Sequence, residues 1–141
     1  MISIRKFRTT DIYDGYLDLI QNPVSLEDCN EITTWLSEEI SNSRKVIFVA
    51  VDDETIVGTA TISFARGFAD KGRKKAFLND VFVRETCRKQ GVGESLVNHC
   101  LEEAKLHKVS HVTLACSDRN KAWYEKFGFK HTYYHMSLSA K

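Results

Sequence analysis

The chain has 141 residues, 43% of them apolar and 28% charged, with a formal net charge of +1. That length suits one undivided domain over residues 1–141, burying roughly 68–70% of its unfolded surface. The balanced charge excludes a field strong enough to steer the chain to nucleic acid or an acidic membrane, and no apolar run approaches the roughly 18 residues of a membrane span.

In chain order, "ISIRKFR" alternates well enough to predict a first strand. Ile12, Tyr16, Leu19 and Ile20 then recur at helical spacing behind Thr10 and Asp11, which can cap, and Pro23 ends that helix. Ser25, with Asp28 after it, opens a second helix whose apolar face is Cys29, Ile32, Leu36 and Ile40, with Trp35 beside it. "KVIFVAV" and "TIVGTATISFA" flank the acidic turn "DDE" as a hairpin, with Gly58 inside its second strand. "RGFADKGRKK" is a loop, "AFLNDVFV" a strand, and Gly91 to His107 a helix with the stripe Val92, Leu96, Val97, Cys100, Leu101 and Ala104. "HVTLAC" is a strand, "RNKAWYEKF" a short helix stopped by Gly128, and "KHTYYHMSL" a closing strand. The expected class is α/β, a mixed sheet with helices on both faces.

The N-terminus reaches Arg5 and Lys6 before any apolar run long enough for a secretory signal, so the cytoplasm is the expected compartment. Cys29, Cys87, Cys100 and Cys116 are widely spaced and are expected as free thiols. No paired ligands suggest zinc, and no metal is expected.

Chemistry concentrates at Arg88-Lys89-Gln90-Gly91-Val92-Gly93, between a strand and a helix. A helix start leaves N–H groups unpaired and carries partial positive charge. Glycines let that backbone approach an anion, and Arg88 and Lys89 add formal charge, so the junction suits a diphosphate. A dinucleotide fingerprint would need a third glycine where Leu96 stands. A P-loop would need Lys where Glu94 stands.

R-x-x-G-x-G after "VFV" resembles the acetyl-CoA motif of the GNAT acetyltransferase superfamily. "CSDRNKAWYEKFGF" resembles a second block of that family, carried here by Asn120, Trp123, Tyr124, Lys126, Gly128 and Phe129. The resemblance implies a largely antiparallel mixed sheet of about six or seven strands with about four helices, splayed between its fourth and fifth strands. It implies that the backbone of Val81, Phe82 and Val83 pairs with the pantetheine arm of acetyl-CoA, and that the N–H groups of Lys89, Gln90, Gly91, Val92, Gly93 and Glu94 hold the diphosphate, with Arg88 and Ser95 assisting. Asn120 would contact the pantetheine, although a helix N-cap would also explain it. Tyr124 would protonate the leaving thiolate as general acid, although a half-buried helix aromatic would look the same.

The general base is where the chain departs from the family. Relatives acting on polyamines and glucosamine 6-phosphate carry Glu before Asp on the fourth strand, and this chain has Asn79 before Asp80. Asn79 cannot accept a proton. Asp80 remains, but successive strand side chains face opposite ways. Direct abstraction by Asp80 and relay through ordered water both stay open, and a covalent route through Cys87 or Cys116 lacks an adjacent histidine. The C-terminal third most resembles the glucosamine-6-phosphate branch, but Ala115 and Ser139 replace an acidic residue and an arginine; Arg66, Lys71, Arg73, Lys74 and Lys75 could substitute as the phosphate clamp, although a solvated basic loop explains them better. The expectation is direct transfer from acetyl-CoA to the primary amine of a small molecule, with protein amines as the other acceptor class and a non-catalytic CoA-binding module as the rival. A homodimer through the terminal strand is the family-level expectation, with no nucleic-acid or membrane partner.

Overall fold

Four consecutive antiparallel strands form the frame: β1 (Ile2–Lys6), β2 (Lys45–Asp52), β3 (Thr55–Arg66) and β4 (Lys74–Val83). A short β5 (His111–Thr113) joins β4 in parallel, completing the sheet order β1-β2-β3-β4-β5. The computed structural model of the chain describes residues 1–20, 26–67 and 71–140.

β3 is central and buried on both faces, which is why "IVGTATI" reads as almost continuously apolar. On one face Ala60, Ile62 and Phe64 meet helix α3 (Val92–Leu106) through Val92, Leu96, Val97, Cys100 and Ala104. Fully burying a side chain such as Ile62 or Leu96 contributes about 1.5–3 kcal/mol. Gly58 sets the approach of that helix, since a Cβ there would lie 3.0 Å from Leu96 Cδ1 and 3.2 Å from Val92 Cγ1. On the opposite face Ile47, Val49 and Ile56 meet a 3-10 turn (Thr9–Asp14), the single-turn α1 (Tyr16–Leu19) and α2 (Leu26–Ser41). The last helix, α4 (Asp118–Glu125), leans on the α3 side through Trp123 and Tyr124.

Several expectations are corrected. Among the described residues the sheet has five strands rather than six or seven, and there are three helices of eight residues or more rather than four, because the predicted first helix is split. Gly15, at φ 91°, ends the 3-10 turn, so Ile12 and the later apolar residues keep their shared face without one continuous helix. Its N-cap position is held by Arg8, and Asp11 reaches back to accept from the Arg8 N–H at 2.8 Å. Pro23 and Ser25 lie outside the described residues. "HVTLAC" shortens to His111–Thr113. Residues 130–140 form no strand and are exposed throughout. Alternation can give that segment strand character, but a strand also needs an edge to pair with, and its own sheet does not take it.

Candidate active site

The β4 strand carries a bulge where the chemistry was expected. Asn79 pairs with Thr61 and Phe82 with Thr59, so Asp80 and Val81 together oppose Ala60. Asp80 has φ 51°, a left-handed conformation that Asp tolerates better than most residues. The extra residue resets the alternation. Leu78, Val81 and Val83 belong to the α3-side core while Phe82 belongs to the opposite one. Asp80 is exposed at the bulge, and burial, then to a smaller degree the Asp80 charge, raises the pKa of the buried Tyr16 phenol.

Beyond this point β4 is open. Its pairing with β5 covers only Lys75, Ala76 and Phe77, opposite His111, Val112 and Thr113. Val81, Phe82 and Val83 lie in the unpaired reach on that side, and the Val83 carbonyl accepts from Arg88 Nε at 3.1 Å. Asn79 spends its side-chain amide on Ser63 Oγ at 3.1 Å and the Phe77 carbonyl at 3.4 Å.

The glycine junction follows immediately. A short 3-10 turn (Glu85–Cys87) leads to Lys89 at φ 64° and Gly91 at φ 78°, both left-handed, which turn neighbouring N–H groups toward one concave side. The first bond of α3 runs from the Ser95 N–H to the Gly91 carbonyl at 3.0 Å; the N–H groups of Val92, Gly93 and Glu94 precede it and have no acceptor within the helix. The two glycines serve different ends. Nothing lies within 4 Å of a Cβ built on Gly91, so its role is conformational. A Cβ on Gly93 would lie 3.3 Å from Trp123 Cζ2 and 3.5 Å from Val83 Cγ2, so its role is to let α4 close against the junction. Gln90 donates its side-chain amide to the Thr86 carbonyl at 3.3 Å, bracing the turn. This donor set, with open N–H groups and exposed Arg88 and Lys89, fits the diphosphate of a coenzyme A.

In α4, Ser117 and not Asn120 holds the N-cap position. Asn120 sits exposed in the first turn, its side chain free to face a ligand. Tyr124 is half-buried among Trp123 and Phe129, with ring centroids 4.8 and 6.2 Å away. Burial pushes its phenol above the ordinary tyrosine range, and the nearby Cys116 sulfur adds a smaller push. The phenol is thus protonated at neutral pH and able to donate. Cys87, Cys100 and Cys116 are free, and burial pushes the Cys100 thiol up to about 12. That thiol is no nucleophile.

Two of the basic loop residues have partners within the chain. Arg66 binds the Gly72 carbonyl at 2.6 Å, and Lys74 turns to His107 Nδ1 at 3.1 Å. Burial, then the Lys74 charge, lowers the His107 pKa, so its neutral ring accepts that bond. Among the described residues no three His, Cys, Asp or Glu side chains converge as metal ligands would, and no described helix is long and apolar enough to cross a membrane. The sequence reading missed the hydroxyls of Thr59 and Thr61, both buried on the face of their β2 partners Val49 and Ile47. Their signal was visible: hydroxyl residues alternating through an otherwise apolar central strand.

Residues 10–129 match the model of the Acetyltransferase (GNAT) family. A probable glucosamine 6-phosphate N-acetyltransferase 2 of Oryza sativa subsp. japonica is 28% identical over 138 residues, covering 91% of this chain and 81% of the relative. The glucosamine 6-phosphate N-acetyltransferase of Arabidopsis thaliana is 27% identical over 139 residues, covering 95% and 93%. The crystal structure of the glucosamine-6-phosphate N-acetyltransferase from Arabidopsis thaliana superposes with a TM-score of 0.91 at 24% identity, covering 100% of this chain and 99% of that one, which is a likeness of fold. The chain belongs to the GNAT acetyltransferase family, and it is an acetyl-CoA-dependent N-acetyltransferase.

Proposed function

We propose that the protein transfers the acetyl group of acetyl-CoA directly to the primary amine of a small molecule within a ternary complex. One observation carries this reading: β4 is open beyond Phe77, with the Asp80 bulge in that reach, the glycine-opened start of α3 after it and Tyr124 packed on the α3 side. Acetyl-CoA supplies an activated acyl group on a thiol. Main-chain N–H groups from Lys89 to Glu94 hold the diphosphate, and the β4 backbone at Val81 orients the arm beside the opening. Asp80 accepts the proton that the incoming ammonium must lose, and Tyr124 delivers one to the departing sulfur.

Glucosamine 6-phosphate is the more specific acceptor reading, supported by the names of the two plant relatives. Asn79, Ala115 and Ser139 mark where this chain parts from that branch, so an amine panel must include polyamines and a peptide amine beside the sugar phosphate. Release of free thiol is the readout. Tyr124→Phe and Asp80→Asn are each expected to lower kcat by about a hundredfold or more while acetyl-CoA still binds. Unchanged turnover in either variant overturns its assigned role. Thiol release at background with every amine, beside intact coenzyme binding, makes the protein a non-catalytic CoA-binding module.

A homodimer is part of the same reading. Tyr133, Tyr134, Met136 and Leu138 are 86–94% exposed on residues 130–140, an arm of strand-like sequence without a strand partner. A second copy supplies the missing edge. Light scattering should give a dimer for the full chain and a monomer after truncation at Lys130; a monomeric full chain refutes it. The free thiols of Cys87, Cys100 and Cys116 suit a reducing compartment, and the cytoplasm is the location proposed.

A further inference from the structure

Asn79 is exposed on β4, yet its side chain is held in one orientation. Its amide nitrogen Nδ2 donates to Ser63 Oγ at 3.1 Å and to the Phe77 carbonyl at 3.4 Å. A carbonyl can only accept, so the atom turned toward Phe77 must be the nitrogen; the flipped amide would set two carbonyl oxygens against each other. Ser63 donates its own proton to the same Phe77 carbonyl at 3.5 Å, which leaves its lone pairs to receive Nδ2. Ser63 pairs with Phe77 across the β3–β4 ladder, so the backbone fixes the whole arrangement. Both amide hydrogens of Asn79 are then used within the chain. Its Oδ1 accepts from no described residue and is left to accept from outside.

That oxygen stands in the open part of the sheet. Leu78 belongs to the α3-side core, so alternation puts Phe77 and Asn79 on the opposite face, and both are exposed there. β5 pairs no further than Phe77, and the Asp80 bulge follows Asn79 at once. We infer that Asn79 Oδ1 accepts a hydrogen bond from the nitrogen of the acceptor, and that this contact makes the enzyme choose amines over alcohols. The inference deepens the reading of the open β4 reach as the place of transfer and rests on it. An ammonium that surrenders one proton still carries two N–H groups, one of them for Oδ1, while its new lone pair attacks the acetyl carbonyl. The C–N bond forms, the C–S bond breaks, and the departing thiolate takes its proton from Tyr124 as before. A hydroxyl that surrenders its single proton has none left to donate. Its bare oxygen would meet Oδ1, another acceptor, at the moment of attack. Asn79 takes no proton in this step, so the role of Asp80 is untouched. Ser63 is a positioning residue: it holds the amide and touches no substrate.

Asn79→Ala, Ser63→Ala and Ser63→Thr are compared with the wild type in the full chain. The acceptor is whichever of glucosamine 6-phosphate, spermidine and a peptide amine is turned over fastest, with its hydroxyl analogue beside it. Asn79→Ala is expected to raise the KM for the amine about tenfold or more and to narrow the preference for amine over hydroxyl. The KM for acetyl-CoA should stay within about twofold and Tm nearly unchanged. Ser63→Ala should act in the same direction more weakly, because the amide is then held by Phe77 alone. Ser63→Thr keeps the hydroxyl and should restore wild-type values. Titration calorimetry of the amine into the coenzyme-A-bound protein reads the contact without turnover and should show the same loss in Asn79→Ala. Unchanged amine KM and affinity in Asn79→Ala, while Tyr124→Phe and Asp80→Asn are slow, overturn this inference alone. A rise in both KM values with a lowered Tm also overturns it, making the amide a brace for the ladder. A Ser63→Thr protein no better than Ser63→Ala removes the positioning role. Thiol release at background with every amine overturns the transfer reading, and this inference with it.

Discussion

Replacing Gly91 by valine tests the coenzyme junction most directly. Gly91 sits at φ 78°, where a non-glycine residue costs about 1–2 kcal/mol and a β-branched one more. The space in front of it is open, with nothing within 4 Å of a built Cβ, so the apo protein pays only this conformational strain. For a domain of this size the strain lowers Tm by roughly 4–8 °C. The larger consequence concerns the ligand. Acetyl-CoA at a hundredfold its Kd stabilises the wild type by about 2.7 kcal/mol, which is an upward shift of roughly 10 °C. Valine removes that shift by either of two routes. If residue 91 keeps its left-handed turn, the isopropyl group stands in the open space where the diphosphate must sit; if it relaxes to negative φ, the neighbouring N–H groups turn away. Differential scanning fluorimetry with and without acetyl-CoA measures both quantities. Glu94→Arg is the control: it sets a cation against the helix dipole at about 0.3–1 kcal/mol but leaves the N–H groups in place, so its ligand shift should persist. A Gly91→Val protein that keeps the full ligand shift refutes the assignment of this junction to the diphosphate.

Other predictions concern the scaffold. Asp11 is buried and bidentate to Arg5, with both N–O distances 2.9 Å. Burial alone would raise its pKa, but the Arg5 hydrogen bonds, the Arg8 N–H and the two positive charges outweigh it, and the net direction is down. A depressed carboxylate contributes stability that is present above its unfolded value near about 3.9 and is lost as pH falls through the lower folded value. Wild-type Tm should therefore fall below about pH 4 more steeply than that of Asp11→Asn, and parallel curves would contradict the pairing. Asp11→Ala, which strands Arg5, should cost about 3 kcal/mol in urea unfolding. In the β2–β3 turn Asp53 and Glu54 both have positive φ, 46° and 70°. Glu54→Gly should therefore raise stability by roughly 0.5–1 kcal/mol, and a lower unfolding midpoint would refute the strain argument.

Much of this architecture was legible in the sequence, for identifiable reasons. The α3 stripe was read almost residue for residue because a helix packed on a sheet must keep one apolar face, and Val92, Leu96, Val97, Cys100 and Ala104 are that face. The strand–glycine–helix junction was legible as structure because the glycines fall between the end of an apolar run and the start of a helical stripe. What escaped reading depended on partners. "HTYYHMSL" has strand composition, but composition names no edge to join, and the segment stands exposed. Gly15 interrupts a helical spacing whose apolar residues still converge, so periodicity survived where the helix did not. The division of labour between Gly91 and Gly93 was hidden, because sequence shows two glycines and only packing shows Trp123 against the second.

The β4 bulge is the sharpest case, since plain alternation gives no sign of the extra residue that sets Asp80 and Val81 together opposite Ala60. Deleting this residue tests the idea in full. With Asp80 gone, Asn79 still pairs with Thr61, Phe82 still pairs with Thr59, and Val81 falls opposite Ala60, whose α3-side core it already shares. The ladder becomes regular and a residue at φ 51° disappears. The deletion should therefore fold, with stability unchanged or raised by about 1–2 kcal/mol, the strain of a left-handed non-glycine residue. It should also be as slow as Asp80→Asn, because the proposed proton acceptor is then gone from β4. A one-residue deletion in a central strand normally flips every later side chain and unfolds the sheet; here the bulge makes it tolerable. If the shortened protein fails to fold, Val81 was not in phase and the two-against-one pairing is wrong. If it folds and still acetylates at the full rate, the inserted carboxylate was never the proton acceptor. Stability retained while activity is lost is the outcome expected of a residue kept in the strand for its chemistry, at the expense of the ladder's regularity.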